Sequence, residues 1–130
     1  MAPRSVPLTP TRAERFDELV LDAVERLERR WAAELRQVQF AVEPVPPETA
    51  GADASWPSPW SPDAVPLGAY LPAGSGHPAR IVLFRHPIEV RALDEQDLAE
   101  LVHDVVVEQV AELLGLEPER VDPDYDDGDG

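Results

Sequence analysis

A small α+β domain is predicted by three observations. A long amphipathic run lies near the N-terminus, three short extended runs follow it, and a second amphipathic run stops at a glycine. That order, helix, strand, strand, strand, helix, describes about three strands in one mixed sheet with a helix from each end of the chain packed on it. The 130 residues suit one domain, and a chain of this size buries a core without covalent staples. There is no cysteine, which removes disulfides, thiolate metal sites and cysteine nucleophiles.

The first helix is placed at 11–37. Thr11 followed by Glu14 forms a capping-box pattern. Phe16, Leu19, Val20, Ala23, Val24, Leu27, Trp31 and Leu35 then recur at helical spacing. The alternation of Val38 to Glu43 predicts a strand with Val38, Phe40 and Val42 on one face. Proline and small residues from Pro44 to Pro62 predict a long loop, which carries Trp56 and Trp60. These tryptophans either fold back over the core or meet a partner.

Residues 65–71 read as a second strand, with Pro66 confined to its start or to an edge. Residues 80–85 read as a third. Ile81 and Leu83 share one face and Val82 and Phe84 the other, so both faces are apolar and this strand is central. His86-Pro87 ends it. Asp94 with Asp97 marks the start of the last helix, 94–114, and Gly115 is its C-cap. Leu98, Leu101, Val102, Val105, Val106, Leu113 and Leu114 supply its core stripe. The boundaries that follow are an extended arm at 1–10, a domain at 11–122 and a disordered acidic tail at 123–130.

Charge and targeting bound the function. The net charge is -15, with 26 acidic against 11 basic residues, which repels nucleic acid and anionic lipid. No apolar run approaches the ~20 residues of a membrane span, and the first residues lack the apolar stretch of a secretory signal. A cytoplasmic protein that binds neither membrane nor nucleic acid is expected. No GxSxG elbow and no phosphate-cradling glycine loop occurs.

The last helix holds the candidate chemistry. At about 100° per residue, Asp104, Glu108 and Glu112 form one row at the edge of the apolar arc. Such a row is either a solvated face or a carboxylate pair for a hard cation. Gln109 falls inside the arc, where a buried amide needs a hydrogen-bond partner. It serves either as a structural amide or as a polar group facing a cleft. His103 lies at the other border of the arc and shares no face with Glu108.

Four segments together resemble the minimal zincin-like metallopeptidases, small single-domain bacterial proteins whose final helix bears the zinc motif. They are Phe16–Val24, Leu67–Tyr70, Ile81–Ile88 and the helix that ends in Leu113-Leu114-Gly115-Leu116. The family pattern is HExxH, then a glycine three residues on, then an acidic third ligand. With Gly115 setting the register, Glu108 stands at the first histidine, Gln109 at the general-base glutamate and Glu112 at the second histidine. The third ligand falls near Pro118, between Glu117 and Glu119. The resemblance implies zinc and peptide hydrolysis, yet the residues depart from it at each chemical position. A zincin needs two neutral imidazoles and a basic carboxylate. Glutamine is not a base, and two carboxylates favour Mg²⁺, Ca²⁺ or Mn²⁺ over Zn²⁺.

Two functions are therefore expected in competition. The first is a peptide- or protein-binding pseudo-enzyme with no cofactor, which holds an extended segment by strand addition beside the motif helix. Trp56, Trp60 and Tyr70 are its candidate contacts. The second is a divergent hydrolase in which Glu108 and Glu112, helped by Glu117, Glu119 or His103, bind a hard divalent cation. An assembly subunit without a cleft function is the third and least chemical alternative.

Overall fold

A computed structural model describes residues 11–46 and 66–125. The expected arm at 1–10, the tryptophans Trp56 and Trp60 and the tail from residue 126 lie outside the described residues. Helix α1 spans Arg12–Leu35, and Thr11 and Glu14 form the full capping box. Its buried residues are Phe16, Leu19, Val20, Ala23, Val24, Leu27 and Leu35, the stripe read from the periodicity, with Trp31 half-buried beside them. The backbone leaves the helical region only at Trp31 (φ -120°, ψ 31°), whose indole N–H donates to the Val121 carbonyl at 2.9 Å.

The sheet has strands β1 (Gln39–Glu43), β2 (Gly68–Leu71) and β3 (Arg80–Phe84) in the order β1-β3-β2. β1 runs parallel to β3, with Phe40 opposite Ile81, and β2 runs antiparallel to it, with Tyr70 opposite Ile81. The sheet is mixed and β3 is central, as its two apolar faces require. Ile81, Val82, Leu83 and Phe84 are all buried, and Ile81 and Leu83 join the main core. Gly68 lies where strand meets helix: a Cβ there would come within 2.9 Å of the Val105 side chain and 3.0 Å of the Val82 carbonyl oxygen.

Two short helices depart from the sequence reading. Helix α2 (Arg85–Arg91) begins directly after β3, where His86-Pro87 is expected only to end the strand. Pro87 sits within its first turn, where the missing N–H removes no helical bond. Helix α3 (Glu95–Leu114) follows, capped by Asp94 and closed by Gly115 in the left-handed region at φ 70°. Helix α4 (Pro118–Val121), which no sequence period announces, then opens on a proline. Proline interrupts a helix interior but suits a helix start.

α3 is the centre of the domain. It packs against α1, α2, α4, β2 and β3. Burial therefore extends beyond the predicted stripe: Val107, Val110 and Ala111 are buried with Val102, Val105 and Val106. Leu98, Leu101, Leu113 and Leu114 are only partly buried, at the margins of the same core.

Candidate functional site

α3 sets the site because it fixes where each polar side chain emerges. Glu108 and Glu112 are exposed, one turn apart, and Asp104 is half-buried. The row thus lies on the outer side of α3. Glu108 is engaged: the Tyr125 hydroxyl donates to its Oε2 at 2.5 Å. Gln109 is half-buried and faces β2, its Cγ only 3.4 Å from where a Gly68 Cβ would stand. Its methylenes belong to the helix–sheet contact, which accounts for its place inside the apolar arc. Tyr70, the candidate contact on β2, is half-buried and packs against the core.

His103 does not join the carboxylates at 108 and 112. Its Nε2 lies 2.6 Å from Asp122 Oδ2, across a sequence separation of 19 residues. Asp122 is 6% exposed, and its second oxygen accepts the Asp124 backbone N–H at 2.9 Å. Arg26 lies 3.7 Å from Asp122 and 3.1 Å from Asp124. Burial pushes the Asp122 carboxyl up, but the Asp124 N–H, the His103 hydrogen bond and the Arg26 charge together hold it below the usual carboxylate range. Asp122 is therefore a carboxylate at neutral pH, and His103 donates to it through Nε2–H. The start of the expected acidic tail is held to the domain by these contacts: Asp124 pairs with α1 and Tyr125 with α3.

Clefts open at several places among the described residues. One, of about 720 Å³, is lined by Arg12, Arg15, Glu89, Asp94, Glu95 and Leu98 among others. A second, of about 400 Å³, adjoins His103, Asp104 and Arg26. A third, of about 440 Å³, lies at the sheet end near His77 and Arg80. Glu108, Gln109 and Glu112 line none of them.

The donor set does not fit zinc. Among the described residues no three histidine, cysteine, aspartate or glutamate side chains converge to hold a metal. Glu117 and Glu119 are exposed, and His103 is committed to Asp122. No base stands at Gln109 to take a proton from water. Among the described residues, no helix is long and apolar enough to cross a membrane.

Two of these contacts escape sequence reasoning altogether. Asp122 and Tyr125 carry no motif, and only the turn after α4 brings them to His103 and Glu108. The Asp–x–Asp spacing of Asp122 and Asp124 is a weak signal of a side-chain-capped turn.

Comparison with known proteins follows the architecture. None of the curated proteins compared with this sequence matches it. A family model described as zincin-like metallopeptidase matches residues 35–127, from the end of α1 through all three strands and α3 to the segment after α4. With well over half of its length matched, the chain belongs to the zincin-like metallopeptidase family.

Proposed function

We infer that this protein has kept the zincin-like fold, has lost zinc-dependent peptidase chemistry, and binds an extended peptide or protein segment. The observation that carries this reading is Gln109. It occupies the position of the family's general base and has no carboxylate to act as one. Glu108 and Glu112 replace neutral imidazoles with anionic oxygens, which suit zinc poorly. Strand addition is the binding mode the topology favours. β2 ends the described sheet and adjoins α3 at Gly68, so a segment paired to its outer edge would run beside Gln109.

One observation favours a second reading, a hydrolase with carboxylate ligands. Glu108 and Glu112 are exposed one turn apart on α3 and can share a hard cation. Elemental analysis of the tag-free protein, with a peptide-cleavage assay, separates the two. The expected result is no stoichiometric metal and no cleavage, while the combined Glu108→His, Gln109→Glu, Glu112→His variant gains zinc. One metal per chain in the native protein, lost in both Glu108→Ala and Glu112→Ala, would overturn the first reading in favour of the second.

A further inference from the structure

The sheet register fixes which backbone groups of β2 turn outwards. In an antiparallel pair, residues directly opposite alternate between those that exchange hydrogen bonds and those that do not. The Phe84 N–H donates to the Leu67 carbonyl at 2.9 Å, which makes Leu67 and Phe84 a bonded pair. Along the register, Ala69 with Val82 and Leu71 with Arg80 are then bonded pairs as well. Gly68 and Tyr70 therefore turn their N–H and C=O groups away from β3, and no described residue hydrogen-bonds to them. The same two residues face α3. Tyr70 packs against the core, and a Cβ on Gly68 would approach Val105 and Gln109.

A strand paired to these groups, in either direction, places the side chain opposite Gly68 on the α3 side, because directly paired residues share a face. Gly68 brings no side chain of its own to that contact. Charge then selects the incoming residue. α3 carries six acidic residues and no arginine or lysine. Glu112, one turn on from Gln109, is exposed, and no described residue pairs with it, whereas Glu108 already accepts from Tyr125. Glu112 lies in the last turn of α3, where the helix dipole favours a cation and the chain supplies none. The nearest arginines do not fill the place. Arg85 is paired with Glu89 at 3.3 Å, and Arg80 alternates with Ile81 onto the other face of the sheet. Resting on the strand-addition reading, we propose that the added segment is basic, with a lysine or arginine opposite Gly68 whose stem lies along Gln109 and whose charge pairs with Glu112. The net charge of -15 draws such a segment in at long range.

A library of random short peptides displayed on phage, selected against the full chain, is the test. Enriched peptides are expected to carry lysine or arginine at one fixed position. When a synthetic copy of one of them binds, the Gly68 and Tyr70 amides should gain hydrogen-exchange protection, while those of Ala69 and Leu71, already bonded to β3, change little. Glu112→Gln should weaken that peptide about fivefold. Glu28→Gln, at an exposed glutamate on α1, should leave its affinity intact. Both glutamates are exposed, so unchanged thermal melting of the variants shows that folding is preserved. A peptide that protects Gly68 and Tyr70 but is indifferent to Glu112→Gln overturns the basic anchor and leaves strand addition standing. A peptide that binds without protecting those amides, or no enriched peptide at all, overturns strand addition and the basic anchor with it.

Discussion

Asp122 shows how one buried charge ties three parts of the chain together. Its carboxylate accepts from His103 on α3 and from the Asp124 backbone, with Arg26 of α1 close by. Its carboxyl is held below the ordinary value, so its stabilising contribution is full above the unfolded-state pKa of about 3.9 and is lost as pH falls through the lower folded value. Asp122→Asn should therefore destabilise the protein by about 1–3 kcal/mol at pH 7. The difference from the native chain should close as pH drops below about 4, read from denaturant midpoints across the pH series. Gly68 makes a different demand. A methyl group there meets the Val82 carbonyl, which cannot yield as a side-chain end can. Gly68→Ala should cost about 1–3 kcal/mol in urea unfolding. Both effects depend on neighbours far off in sequence. In the sequence the glycine reads only as one position of the second strand, within the Leu67–Tyr70 segment.

Elements were legible where a single period or cap dictates them. Thr11 and Glu14 start α1, Asp94 and Asp97 start α3, and Gly115 ends α3 because a left-handed backbone there costs glycine least. α2 and α4 were not legible, since seven and four residues are too few to establish a helical period. α4 in particular depends on a tertiary tie, the bond from the Trp31 indole to the Val121 carbonyl. Trp31→Phe keeps a ring in the core margin but removes that donor. A loss of about 1–2 kcal/mol is expected, with the amides of residues 120–122 losing hydrogen-exchange protection before those of α3.

At the scale of the whole molecule, the net charge of -15 is a persistent strain on the compact state. Raising salt from about 10 to about 150 mM shortens the Debye length from about 30 to about 8 Å. The midpoint of thermal unfolding should rise by a few degrees over that range, measured by circular dichroism. A fall would mean that specific ion pairs such as Arg15–Glu95 outweigh the general repulsion. The family match and the architecture agree on a zincin-like domain.

The sequence by itself determined the fold class, the central place of β3, and the long helices and their caps. Each follows from a local rule: a period, a cap, or the identity of a side chain. Only the tertiary structure decided which groups meet. It separates His103 from the carboxylate row and gives it to Asp122, it brings Tyr125 to Glu108, and it lays Gln109 against Gly68. The physical reason is that α3 is enclosed by five other elements, so the surroundings of its side chains come from distant segments and not from its own spacing.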